Sequence, residues 1–201
     1  MKKIAILMVV LMLALPMTAF GEGVAYDLTM LSITIPEGYD VFVRSEIGPD
    51  NPLAEKYDMD YIQTVFDASP EMVLDAYHPE LGHDLMVVIV PVDSTIDLNT
   101  MTDNMIETLI LPYAASAYAD MGGEITESTV EHLQDVTYMR VLASFLQGDY
   151  QVELEQYYTT ITYEGVGYGI TIKAMAYNEP VSEEMHADLV SMVESTSYNA
   201  D

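Results

Sequence analysis

The 201-residue chain contains no cysteine. That absence removes disulfides, thiol catalysis, cysteine-based zinc sites and a lipid-modified N-terminal cysteine together. Positive charge is almost as scarce: six Lys and Arg stand against 33 Asp and Glu, for a formal net charge of −27. A nucleic-acid backbone is repelled by such a field, and an anionic membrane surface is disfavoured on the same ground. Beyond residue 21 no apolar run approaches the ~20 residues of a spanning helix, which argues against a multi-pass protein. The chain has no G-x-S-x-G elbow, no phosphate-binding glycine loop, no low-complexity segment and no internal repeat.

What the chain does have begins at its start. Lys2 and Lys3 precede an unbroken apolar run over residues 4–15, Pro16 ends it, and Ala19-Phe20-Gly21 offers small residues before Glu22. This is the layout of a secretory signal peptide over residues 1–21. The expectation is one domain over residues 22–201, secreted or in the cell envelope, with no stable membrane insertion once the leader is removed. Half of the residues are hydrophobic and the acids are dispersed, so the chain should fold rather than stay disordered. About 180 residues are enough to bury a core without disulfides. An acidic surface keeps such a domain soluble.

Alternation and turn residues suggest the elements. Residues 26–35 read as one strand whose phase flips at Met30-Leu31, as a β-bulge would flip it. Pro36-Glu37-Gly38 ends it in a turn, and residues 41–44 read as its hairpin partner. Residues 60–66 have helical spacing, and 72–77 and 85–90 read as strands. A helix should start at Thr100-Met101-Thr102-Asp103 in a capping-box-like arrangement, kink or restart at Pro112, and stop at Gly122-Gly123. Three long strands follow, over residues 136–146, 151–163 and 166–177. Glu164-Gly165 would turn the last two into a hairpin pairing Tyr163 with Val166. In that register Thr160 and Thr162 face Gly169 and Gly167, leaving room for close approach by a helix or a ligand, of which close helix packing is the better fit. Ser182 caps a last helix with one apolar stripe of Met185, Leu189, Met192 and Val193.

Strands joined by hairpins, with helices free to cover them, make an α+β sandwich. Three stretches resemble the PsbP-like superfamily. They are Leu31-Ser32-Ile33-Thr34-Ile35-Pro36-Glu37-Gly38-Tyr39, the pair Tyr157-Tyr158-Thr159-Thr160-Ile161 and Gly169-Ile170-Thr171-Ile172, and the closing amphipathic helix from Ser182 to Val193. That superfamily includes an extrinsic protein of photosystem II, a nuclear Ran-binding protein, and secreted bacterial proteins without an assigned activity. The similarity spans residues 26–197. It implies a central antiparallel β-sheet with helices packed on both faces, and a binding or assembly role more than catalysis. No functional residue is carried across, because the superfamily is defined by shape.

Few residues could carry chemistry. His78-Pro79-Glu80-Leu81-Gly82-His83-Asp84 holds the densest set of metal-ligand types, with His78 and His83 as the imidazoles. Asp50, Glu55, Asp58 and Asp60 could offer oxygens for weak Ca²⁺ binding, without the spacing of an EF-hand loop. Both stretches read more simply as solvated loops, so no cofactor is expected. Arg140 sits mid-strand with Tyr138 and Leu142 on its face and should pair with a carboxylate, and Lys173 reads the same way. Tyr150, Tyr157, Tyr158, Tyr163, Tyr168 and Tyr177 could line an aromatic groove, although tyrosine also simply favours strands. No catalytic residue stands out. The reading that fits best is a secreted, non-catalytic binding or accessory domain with an extracellular or envelope partner. The alternatives are a secreted hydrolase with a carboxylate-based site and an extracellular cation-binding protein.

Overall fold

A computed structural model describes residues 23–199, so the leader expected over residues 1–21 lies outside the described residues. In chain order the elements are β1 (Val24–Asp27), β2 (Leu31–Ile35), β3 (Asp40–Val43), α1 (Met59–Ala68), β4 (Met72–His78), β5 (His83–Val92), α2 (Leu111–Asp120), β6 (Glu124–Leu133), β7 (Val136–Gln147), β8 (Tyr150–Tyr163), β9 (Val166–Tyr177), α3 (Glu183–Glu194) and β10 (Ser197–Tyr198). They build an antiparallel seven-stranded sheet in the order β3-β4-β5-β9-β8-β7-β6 and a small sheet in the order β1-β2-β10.

The large sheet is apolar on both faces because its central strands alternate two kinds of apolar residue. Leu85, Val87, Ile170 and Ile172 point to one face. There they meet Leu31, Ile33 and Ile35 of β2 and the stripe of α3 formed by Met185, Leu189, Met192 and Val193. Ser182 starts α3 as expected, its hydroxyl accepting from the Met185 N–H at 3.1 Å. On the opposite face α1 buries Phe66 against Phe42 and Met72. The helical turn entering α2 buries Ile106, and α2 itself buries Tyr118, against Met139, Val141 and Leu154. The outcome is an α+β sandwich with helices on both faces of a central antiparallel sheet.

Several elements differ from expectation. Residues 26–35 are not one bulged strand but a tight hairpin, with Tyr26 opposite Ile33 and Asp27 opposite Ser32. Thr29 turns the chain in the left-handed region at φ 71°, and the Asp27 carboxylate accepts its N–H at 3.1 Å. A turn and a bulge flip the alternation in the same way, which is why the phase change misleads. Nor does β3 pair with β2. It pairs with β4, Val41 lying opposite Ala76, because β2 is already flanked by β1 and β10 in the small sheet. Strand β6 is an element the pattern does not announce.

The long helix behaves as Pro112 dictates. It opens at Asp103–Met105, widens into a π-turn over Ile106–Ile110, and restarts as α2 with Pro112 in its first turn. The wide turn accommodates the carbonyl that Pro112 cannot serve. The N-cap is Thr102 rather than Thr100, its hydroxyl accepting from the Met105 N–H at 3.4 Å. The β8–β9 hairpin has the expected register, with Tyr163 opposite Val166 and Thr160 opposite Gly169. Its two glycines admit no helix, however. A Cβ on Gly167 would lie 2.8 Å from Ser94 Cα, and one on Gly169 would lie 2.8 Å from Tyr158 Oη. The first glycine lets a loop cross the sheet and the second lets a tyrosine ring lie over it.

Candidate functional site

The second face of the large sheet is not fully covered. Between α1 and the C-terminal end of α2 runs a groove of about 690 Å³. Its floor comes from alternate positions of three central strands: Met72 of β4, Met86 and Val88 of β5, and Lys173, Met175 and Tyr177 of β9. Register explains the grouping, since Met86 lies opposite both Asp75 and Lys173. An irregularity between Met72 and Leu74 shifts the phase of β4 and puts Met72 and Asp75 on this same face. The rim carries Val65 and Ser69 at the end of α1, Met121 after α2, and Phe145 and Leu146 at the end of β7. Met121 is 52% exposed and Leu146 62%. Four methionines in one groove make a polarisable, adaptable apolar surface.

Charge enters the floor in an unusual way. Four cationic side chains lie within the described residues. Arg44 donates to the carbonyls of Met72 and Ser69, at 2.8 and 2.6 Å. Lys56 donates to Asp40, and Arg140 to Glu155 at 2.6 Å. Lys173 makes no hydrogen bond or ion pair with a described residue, which corrects the expectation of a structural pair there. Burial lowers its pKa, and the field of Asp75 opposes that shift. Asp75 is itself anomalous. Its Oδ1 is buried without a hydrogen-bond partner. Burial first and neighbouring Asp84 second push its carboxyl up to about 7, against a smaller pull from Lys173. Burial also raises the carboxyl of Asp84.

The other candidates are placed elsewhere. His78 and His83 do face each other across the β4–β5 hairpin, with ring centroids 5.6 Å apart. Both are already engaged: His78 Nδ1 accepts from the Leu81 N–H at 3.2 Å, and His83 Nε2 bonds Tyr39 Oη at 2.8 Å. Tyr39 in turn donates to Asp188 of α3 at 2.8 Å, so this trio ties the hairpin to the helix. Burial, then that bond to Asp188, raises the Tyr39 pKa well above its ordinary value. Asp58 caps α1, accepting from the N–H groups of Asp60 and Tyr61, while Asp50 and Glu55 are exposed. Among the described residues no three His, Asp or Glu side chains converge as a metal shell would.

Arg140 lies between three acids. Its Nε is 2.6 Å from Glu155 and 3.8 Å from Glu131, and its Nη1 is 2.9 Å from Glu127. The tyrosines are dispersed over both faces. Tyr157 is buried edge-on to Tyr138 at 6.0 Å, Tyr158 lies over Gly169, and only Tyr177 of the six lines the groove. The groove escapes sequence reasoning because its floor is assembled from strands far apart in the chain. The one available signal was a lysine in a strand otherwise rich in apolar and aromatic residues.

No family model and no curated protein matches the sequence. Solved structures do match in shape. LpqN of Mycobacterium tuberculosis, described as involved in cell envelope biogenesis, has a TM-score of 0.53 at 10% identity, covering 88% of this chain and 84% of that one. The cyanobacterial PsbP (CyanoP) of Synechocystis sp. PCC 6803 has a TM-score of 0.50 at 14% identity, covering 87% of this chain and 91% of that one. The fold is therefore PsbP-like. At these identities the likeness concerns the fold alone.

Proposed function

We propose that this protein is a non-catalytic binding domain working outside the cytoplasm, in or near the cell envelope, and that it binds through the groove between α1 and α2. The observation that carries the reading is the groove itself: 690 Å³ of methionine-lined space on a rigid sheet floor. That volume falls in the range of small-ligand sites. The leader-like residues 1–21 support export, as does the involvement of LpqN, a protein of similar fold, in cell envelope biogenesis. No helix among the described residues is long and apolar enough to cross a membrane. N-terminal sequencing of the exported protein should begin at or near Glu22; a product that keeps Met1 and stays in the membrane would contradict export.

The groove is tested with the mature chain and a neutral apolar fluorophore, N-phenyl-1-naphthylamine. The chain contains no tryptophan, so background emission is low. The probe should bind saturably with a blue shift. Met121→Glu and Leu146→Glu, both on the exposed rim, should each weaken it about tenfold, the loss of one buried apolar contact. Saturable binding that ignores both substitutions, or no binding at all, would remove the groove as the site.

A further inference from the structure

We propose that the groove takes a free single-chain amphiphile with an anionic head, such as a long-chain carboxylate, whose head pairs with Lys173. The inference rests on the reading of the groove as the binding site and names its ligand class. Two observations on the floor argue for it. First, the ammonium of Lys173 makes no hydrogen bond or close ion pair with a described residue and feels only the field of Asp75, whereas each of the other three described cations donates to protein acceptors. A cation among methionines without a hydrogen-bonding partner costs desolvation that the field of Asp75 only partly offsets, so Met or Leu would serve packing better there. A ligand carboxylate supplies the missing charge-assisted hydrogen bonds.

Second, the floor offers no backbone hydrogen bonds. β4, β5 and β9 are interior strands, paired on both sides. A peptide laid in the groove would leave its own amides unsatisfied. An alkyl chain has none to satisfy, and Met72, Met86, Met121 and Met175 can shape themselves to it.

The acidity of the protein does not forbid this. Charges beyond a Debye length, ~8 Å at physiological salt, are largely screened. Glu71 is the acid on the groove's lining. Asp75, whose field reaches Lys173, has its carboxyl raised to about 7, so near neutral pH it competes with a ligand carboxylate for Lys173 less than an ordinary Asp would. The same overall charge does argue against docking on an anionic bilayer, which presents a whole surface of negative potential.

Displacement of N-phenyl-1-naphthylamine by dodecanoate, dodecanol and dodecyltrimethylammonium, each below its micellar concentration, reads the head preference at constant chain length. Dodecanoate should displace the probe at least tenfold better than dodecanol, and the trimethylammonium should be poorest. Lys173→Met should keep the probe but lose the preference, and Lys173→Arg should keep both. Equal displacement by dodecanoate and dodecanol in the wild type, or a preference that survives in Lys173→Met, would overturn the inference while leaving the groove a binding site. Absence of probe binding in the wild type would instead sink the groove itself. Lys173-dependent co-sedimentation with phosphatidylglycerol vesicles would overturn the free amphiphile in favour of a membrane lipid.

Discussion

Arg140→Ala is expected to cost about 3–5 kcal/mol of folding stability, a fall in melting temperature on the order of 10 °C for a domain of this size. The reason is Glu155, whose side chain is 2% exposed. Arg140 Nε holds it at 2.6 Å, and His186 Nδ1 holds it at 2.9 Å from α3. Removing the guanidinium leaves Glu155 with the imidazole alone, and leaves Glu127 and Glu131 near it with nothing between them. A surface pair would give under ~1 kcal/mol. Denaturant melts separate the two. The double variant Arg140→Ala with Glu155→Gln should recover part of the loss, because the stranded charge is then gone. A cost below ~1 kcal/mol in the single variant would return Arg140 to the ordinary surface.

Asp75→Asn should act in the opposite direction at high pH. The folded state raises the pKa of Asp75 from 3.8 to about 7, chiefly by burial. A raised pKa means that the favourable, protonated state is fully available below the unfolded value. That contribution is then lost as pH climbs through the folded value. Wild-type stability should therefore drop between pH 4 and about pH 8, by roughly 2–4 kcal/mol from this carboxyl. Asparagine keeps the shape and removes the charge. It should be close to neutral at pH 5 and more stable than wild type by roughly that amount at pH 9. A variant that is destabilised equally at both pH values would show that Asp75 acts through packing rather than ionisation.

How much of this was written in the chain depends on burial. Strands 7 to 9 and helix α3 were legible because each alternates or stripes against a core, and because Glu164-Gly165 permits the φ values of 50° and 75° that the hairpin uses. Strand β6 was not. It is an edge strand reading Glu-Ile-Thr-Glu-Ser-Thr-Val-Glu-His-Leu, with little apolar alternation. Its turn uses Gln134 and Asp135 at φ 50° and 67°, without a glycine to mark it. The β1–β2 turn hides similarly behind Thr29. Arg140 and its acids lie close together in a meander, so an ion pair could be expected there. The groove could not be, since Asp75, Met86 and Lys173 meet only after β5 and β9 have paired.

That pairing also sets the order of assembly. The strands from β6 to β9 are joined by two-residue turns, so their contacts are local and close quickly. The β5–β9 seam is different: it joins Asp84 to Met175 and Val92 to Gly167, closing loops of roughly 75–90 residues. The meander is thus the natural template, and the β3–β5 arm docks along it late. Refolding in the slow, millisecond-to-second regime of non-local sheets follows. Lys173 stands on one side of the seam and Met72 and Met86 on the other, so the nascent chain offers no groove until that closure is complete.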